Sequence, residues 1–164
     1  MDQSDRIVRL QDSDLSDLRK LLRKDGTFDD IEILRRSWSV CEIDDKSIFD
    51  KDAQNLATAF QLERATSFYV VRVCELWVLG AFAIAYRFDS TQHDIEALQG
   101  PAWFELNLAD CLLFNLPLTC AVLRPGTVDA TKFVGSAAFV RRMCKSGDLR
   151  CKPREGGGCG QDGN

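Results

Sequence analysis

Histidine is nearly absent from this chain of 164 residues, which contains only His93. The seven cysteines form no Cys-x-x-Cys pair, and protein zinc sites typically draw on closely spaced cysteines and histidines. The sequence therefore does not indicate a metal site. It favours buried free thiols in a reducing compartment, with a disulfide framework or one reactive thiol as alternatives. The first residues, MDQSDRIVRL, are charged and form no recognisable secretory signal, which favours a cytoplasmic protein.

Basic residues are too few for a general nucleic-acid-binding protein. Lysine and arginine total 21 against 25 acidic residues, which gives a net charge of −4 and an isoelectric point near 5.0. Neutralising phosphates requires a basic face, so we expect no nucleic-acid partner. The longest apolar run, Phe68–Phe88, is interrupted by Arg72 and Glu75. Charges are costly in hydrocarbon, so we expect no membrane partner either.

That apolar run predicts the centre of the fold. β-Branched and aromatic residues are concentrated in Phe68–Phe88, and such residues suit a half-buried pleated surface. We expect a central antiparallel hairpin with a first strand at Val70–Val73 and a second at Trp77–Tyr86. Gly80 would mark a bulge or a close backbone approach.

The remaining segments alternate between helical and extended patterns. We predict strands at Arg6–Leu10 and Ala102–Phe114, and helices at Asp12–Gly26, Phe28–Val40, Asp50–Arg64 and Ala130–Lys145. This order predicts an α/β or α+β fold, in which helices flank a mixed, mostly antiparallel sheet. A chain of this length suggests one domain over residues 1–149. The glycine-rich residues 150–164 are predicted to be a disordered tail.

Two segments resemble the GNAT superfamily of N-acetyltransferases. The opening RIVRLQDSDLSDLRKLLRK is similar to the family's first strand and helix, and FYVVRVCELWVLGAFAIAYRF to its second and third strands. The Phe68-Tyr69 pair is most similar to the diamine and thialysine acetyltransferases. The resemblance implies a GNAT-like fold and an acetyl-CoA-dependent enzyme that acetylates a small amine such as a diamine or polyamine. A backbone N–H where the sheet splays would hold the oxyanion.

The resemblance also implies a cofactor site. In that family, small residues before a helix let backbone N–H groups approach the pyrophosphate of acetyl-CoA. The matching residues here are Lys132, Phe133, Val134, Gly135, Ser136 and Ala137. The alternative is that this small-residue segment lies on a helix face that packs closely, without any ligand.

Two carboxylates are candidates for binding the amine. Leu108–Leu113 loosely matches the family's fourth strand, but its glutamate falls on Ala109, so no catalytic residue is assigned. Glu105 and Asp110 lie in the predicted strand, and a carboxylate near an amine attracts it and helps to deprotonate it. Ordinary strand polarity is the alternative explanation.

The C-terminal part departs from the family. Nothing after Arg150 resembles its later strands or its tyrosine-bearing helix. We therefore expect a C-terminally incomplete GNAT-like fold. The alternative function is a non-catalytic binding or interaction domain, since an uncovered sheet edge invites pairing. The pattern leaves a homodimer open.

Overall fold

The fold is organised on one antiparallel sheet. The computed structural model describes residues 2–78 and 82–144. The strands are Ile7–Arg9 (β1), Ser39–Ile43 (β2), Ser67–Arg72 (β3), Ile84–Asp89 (β4), Cys111–Phe114 (β5), Cys120–Arg124 (β6) and Thr131–Gly135 (β7). Their order in the sheet is β1-β4-β3-β5-β6-β7-β2, and every neighbouring pair is antiparallel.

Helices cover both faces of this sheet, which makes the architecture an α+β fold, as predicted. The α-helices are Asp12–Leu21 (α1), Asp30–Arg35 (α2), Asp50–Leu62 (α3), Gln92–Ala97 (α4), Phe104–Asn107 (α5) and Ala137–Cys144 (α6). No helix in residues 2–78 and 82–144 combines the length and the apolar character that a membrane crossing requires.

Two separate hydrophobic cores lie on the two faces. On the face covered by α3 and α6, which we call the α3/α6 face, Phe60 stacks on Phe68 with ring centroids 5.0 Å apart. The opposite face, the α1/α2 face, is buried by Leu18 and Ile33. Side chains alternate along a strand, so neighbouring residues of one strand enter different cores.

The central hairpin is confirmed, but its second strand starts later than predicted. β3 and β4 pair antiparallel, with Val70 opposite Tyr86. The connection begins with a 3₁₀ turn at Val73–Trp77, and β4 starts at Ile84 rather than Trp77. Leu76 is buried, and its carbonyl accepts a hydrogen bond from Arg19 Nε of α1 at 2.6 Å. The apolar residues of this turn thus serve the core beneath α1. The expected bulge at Gly80 lies outside the described residues.

The predicted helix Phe28–Val40 is wrong in its second half. α2 ends at Arg35, and Ser37 has a positive φ of 55°, which breaks the helical path. β2 then alternates between buried Cys41, exposed Glu42 and buried Ile43. The apolar residues after α2 therefore follow a strand period.

The predicted strand Ala102–Phe114 is wrong except for its last four residues. Residues 101–107 are helical, beginning with Pro101, which suits a first helical turn. Asn107 Nδ2 stabilises these turns by donating to the carbonyl of Trp103 at 3.0 Å. The indole of Trp103 packs edge-on against Tyr86 and Phe88. This apolar residue therefore contributes to the core from a helical turn and not from a strand.

The predicted helix Ala130–Lys145 is wrong in its first half. Residues 131–135 form β7, which pairs with both β6 and β2. α6 begins only after Ser136, whose Oγ accepts a hydrogen bond from Phe139 N at 3.1 Å. This side-chain cap starts the helix seven residues later than predicted.

Candidate binding site

Charged side chains line one end of the α3/α6 face. Cys111 of β5 lies opposite Arg72 of β3 on one side and opposite Arg124 of β6 on the other. Residues directly opposite each other share a face of the sheet, so the thiol lies between two arginines. The adjacent row consists of fully buried apolar side chains: Val70, Leu113, Val122 and Phe133. In these two rows of the sheet, the charged side chains therefore lie only at the outer one.

Loops and turns bring further polar groups to the same place. We call the resulting cluster the charged end, which consists of Lys46, Arg72, Glu75, Glu105, Asn107, Asp110, Cys111 and Arg124. Its members come from the β2–α3 connection, β3 and the turn after it, the α5–β5 region and the end of β6. Its positive residues are thus far apart in the sequence.

Lys46 and Arg124 converge on Asn107. Arg124 Nη1 donates to Asn107 Oδ1 at 2.9 Å, and Lys46 Nζ donates to the Asn107 carbonyl at 2.5 Å. Arg124 Nε donates to the Lys46 carbonyl at 3.1 Å, and Lys46 Nζ also donates to the Gly126 carbonyl at 2.6 Å. The two cations are thus held by neutral oxygens.

Burial changes the acidity of these groups. Loss of solvent lowers the pKa of Lys46, and the neighbouring Arg124 guanidinium lowers it further. Burial also lowers the pKa of Arg124. Burial raises the pKa of Cys111 to about 12, although both arginines oppose the shift. The thiol therefore stays protonated at neutral pH, donating to the Leu106 carbonyl at 3.2 Å.

Carboxylates lie on the outer side of the charged end. Arg72 forms a close ion pair with Glu75, in which Nε donates to Oε1 at 2.7 Å. The hydrogen bond with Glu75 raises the pKa of Arg72, and Glu105 contributes to the same shift. Positive and negative groups are thus both available at this end.

Each of the two predicted amine-binding residues lies near a cation of the charged end. Glu105 lies on α5, not on a strand as predicted, and is exposed near Arg72. Asp110 is exposed just before β5, and its Oδ1 accepts from Gly126 N at 2.8 Å. Asp110 is also close enough to Lys46 to act on it electrostatically. Both carboxylates are therefore part of the charged end.

The six predicted cofactor-binding residues do not form a loop. Lys132, Phe133, Val134 and Gly135 belong to β7, Ser136 follows it, and Ala137 starts α6. Phe133 and Val134 are both fully buried, in different cores. The Ser136 hydroxyl is in close hydrogen-bonding contact with Glu63.

Gly135 allows close packing, but it does so as the last residue of β7 and not on a helix face, where the alternative explanation placed this segment. A Cβ atom at Gly135 would lie 2.8 Å from Cys120 Cβ and 3.1 Å from Phe139 Cδ1. Such distances are shorter than van der Waals contact allows, so the missing side chain lets α6 approach the sheet. The contact made here is with protein rather than with an open cradle.

Gly135 of the predicted cofactor site and Arg124 of the charged end lie at opposite ends of the β6–β7 pair, although the other predicted cofactor residues extend back along β7 to Lys132. Gly135 pairs with Cys120, the first residue of β6, whereas Arg124 of the charged end is its last. Phe133 and Val122 lie between them and are fully buried. Backbone pairing also continues from β3 through β5 and β6 to β7, so these described strands do not splay apart.

The described cysteines and His93 lie apart from a metal-binding arrangement. Within residues 2–78 and 82–144, no three His, Cys, Asp or Glu side chains are grouped to hold a metal ion. His93 is exposed on α4. Cys74, Cys111 and Cys120 are free thiols, while the Cys41 sulfur contacts that of Cys144.

The sequence interpretation missed Lys46, Asn107 and Arg124. One signal was present: Cys120, Val122 and Arg124 alternate along an apolar strand, which places Arg124 on the buried face. A charged residue in such a position requires compensation. The partners of Arg124 are far away in the chain and had no comparable signal.

Comparison with known proteins gives no relative for this chain. No family model, curated protein or solved structure matches it.

Proposed function

We propose that this chain is a non-catalytic binding domain whose ligand site is the charged end. The observation that carries the proposal is the row of Arg72, Cys111 and Arg124 beside a row of fully buried apolar side chains. Burying charge is unfavourable unless it is compensated, and apolar residues would have completed the core at lower cost. Charge at this position is therefore explained best by recognition of a ligand.

The chemistry of the charged end favours recognition over covalent catalysis. Cys111 is its thiol, and a thiol with a pKa of about 12 is a poor nucleophile at neutral pH. Arg72, Lys46 and Arg124 offer N–H donors and positive charge. Glu105 and Asp110 offer negative charge at the exposed side. These groups suit a small ligand that carries charge.

An acetyl-CoA-dependent acetyltransferase acting on a small amine is the second candidate. Glu105 and Asp110, the residues expected to attract the amine, each act electrostatically on a cation of the charged end, which supports this candidate. The Gly135–Ala137 segment also leads from a strand into a capped helix, as a cofactor-binding segment would. Both observations are compatible with a cofactor and a substrate that approach from different ends of the sheet.

Ligand mapping by amide NMR distinguishes the two functions. Small anions, diamines, zwitterions and acetyl-CoA would each be added to isotope-labelled protein. The proposal expects at least one compound to shift the amides of residues 105–111 and 124–126, without being consumed. Shifts confined to other regions would overturn it.

A turnover assay supplies the complementary test. Acetyl-CoA consumption that requires a diamine and is lost in Glu105→Gln would establish the transferase instead. Glu42→Gln is the matched control, since Glu42 is exposed on β2 away from the charged end. The binding-domain proposal expects no turnover in any of the three proteins.

A further inference from the structure

Arg124 is a deeply buried cation without a carboxylate partner. It is 4% exposed, and it forms no ion pair within residues 2–78 and 82–144. Its two hydrogen bonds go to the Lys46 carbonyl and Asn107 Oδ1, which are neutral. Buried arginines are usually paired with an acid, so this guanidinium lacks its ordinary counter-charge.

Part of the guanidinium is left without a protein acceptor. Arginine has five N–H donors, and Nε and Nη1 supply the two bonds found here. Nη2 makes no hydrogen bond with the described protein atoms. It therefore has donor capacity left for an acceptor from outside the protein.

Lys46 adds a second positive charge at the same point. Its ammonium and the Arg124 guanidinium both bind Asn107, so the two cations lie side by side. Lys46 Nζ also binds the Gly126 carbonyl, and an ammonium group has three donors. Lys46 is partly buried and Arg124 is buried, so these like charges repel each other, and a bound anion would relieve that repulsion.

The other neighbours do not supply the missing charge. Cys111 is protonated, and Thr131 Oγ1 donates to the Asp45 carbonyl at 2.7 Å. Asp110 is the nearby acid, and its charge offsets part of that of Lys46. It forms no ion pair with Arg124 within residues 2–78 and 82–144, so an external group that accepts hydrogen bonds and carries negative charge would balance the guanidinium.

We propose that Arg124 and Lys46 bind the phosphate group of a small molecule. Phosphate carries enough charge for two cations, and its oxygens match the donor geometry of a guanidinium. This inference rests on the proposed binding function and names the ligand chemistry for the same site. The competing explanation is that Arg124 only connects the β2–α3 loop to α5.

Calorimetric titration with inorganic phosphate and pyrophosphate tests the proposal at constant ionic strength. We expect wild-type protein to bind either ion, and Lys46→Gln to weaken binding about ten-fold or more, as expected for losing one charge-assisted hydrogen bond. Lys51→Gln is the matched control, because Lys51 is exposed on α3. Its affinity should stay within about two-fold of wild type, since an exposed charge contributes little.

Asn107→Asp provides a second, isosteric variant. It retains the acceptor atom for Arg124 and supplies negative charge from within the protein, but it removes the Nδ2 donor to the Leu98 and Trp103 carbonyls, so urea denaturation first establishes that the variant folds. We expect phosphate binding to be lost while a folded spectrum is retained. A merely structural Arg124 would give no phosphate binding even in the wild type.

The outcomes separate this inference from the binding function itself. Failure of folded wild-type protein to bind either ion overturns the phosphate assignment, and so does equal weakening by Lys46→Gln and Lys51→Gln. If acetate or a diamine still binds at the charged end, the binding function stands. If Lys46→Gln does not fold, amide shifts of wild-type protein with phosphate decide, and they must include Arg124 and Gly126.

Discussion

Arg124 lies directly opposite Cys111 across the β5–β6 ladder, and the charge of the arginine does not activate the thiol. A nearby cation normally lowers the pKa of a cysteine, but burial outweighs it here and raises the pKa of Cys111 to about 12. The pair therefore contributes a fixed positive charge beside a neutral group. This distinguishes the charged end from a nucleophilic cysteine site.

Thiol labelling of the native protein checks this relationship. At mildly alkaline pH the thiolate fraction of Cys111 should be about a thousand-fold below that of an ordinary cysteine. We expect iodoacetamide to label the exposed Cys74 first and Cys111 only on unfolding. Peptide mass mapping over time measures the two rates. In Cys74→Ser protein, Cys111 should remain unlabelled. Labelling of Cys111 as fast as that of Cys74 in the wild type would contradict its assignment as a buried, protonated thiol.

Asn107 should be a strong determinant of stability. Its side chain donates to the Leu98 and Trp103 carbonyls and accepts from Arg124, so Asn107→Ala leaves buried groups unpaired. We expect a loss of about 1 to 3 kcal/mol in the free energy of unfolding, measured by urea denaturation. Gln54→Ala removes an exposed amide on α3 and should change stability by less than about 0.5 kcal/mol. Equal effects of the two changes would contradict the structural role of Asn107.

Phe60 anchors the core beneath α3 and α6. Its ring stacks on Phe68 and lies 5.6 Å from that of Phe139, and all three side chains are fully buried. Phe60→Ala should cost about 3 to 5 kcal/mol. Phe104→Ala is the matched control, because Phe104 is 62% exposed on α5. A small loss for Phe60→Ala in chemical denaturation would be inconsistent with the two-core arrangement.

Glu32 should make stability depend on pH in acid. Hydrogen bonds from Arg35 and then Arg36 lower its pKa to about 2, against the opposing effect of burial. The carboxylate therefore stabilises the fold fully above about pH 4.5, and this contribution is lost as the pH falls toward about 2. Glu32→Gln should remove this part of the pH dependence of unfolding. Glu42→Gln, at an exposed position, should leave the pH dependence of unfolding unchanged. An unaltered pH profile in Glu32→Gln would refute the contribution of the Glu32 carboxylate.

Several elements could be predicted because their signals are local. Leu15, Leu18 and Leu21 recur at helical spacing, and all three are buried on α1. The β-branched residues of Phe68–Phe88 likewise predicted the β3–β4 pair. The antiparallel α+β class followed from these segments. Such elements depend on periodicity within one stretch of chain.

The wrong assignments occurred where apolar residues fit more than one period. Trp38 and Val40 continued an apparent helix, yet β2 was decided by pairing with β7. The segment of β7 suggested a helix start, yet its neighbours on both sides are strands. Strand pairing thus overrode the local helical preference, and a single stretch of sequence does not display which strands will pair.

The candidate site was only half predictable. Glu105 and Asp110 were selected as carboxylates in one predicted strand, and each acts electrostatically on a cation of the charged end. Arg124 depends on Lys46, which is 78 positions away, and on Asn107, which is 17 positions away. The sheet and the turns around Gly126 bring these distant positions of the chain together, so local sequence patterns could not reveal the cation pair.

Amide NMR of the wild-type protein with inorganic pyrophosphate tests most directly where a ligand binds. Pyrophosphate is an anion that suits Arg124 and Lys46, and it is also the group that the alternative cofactor site at Gly135 would recognise. We expect shifts at residues 107–111 and 124–126, with little change at 135–138. Shifts confined to Gly135–Ala138 would contradict the charged end as the ligand site and favour the acetyltransferase.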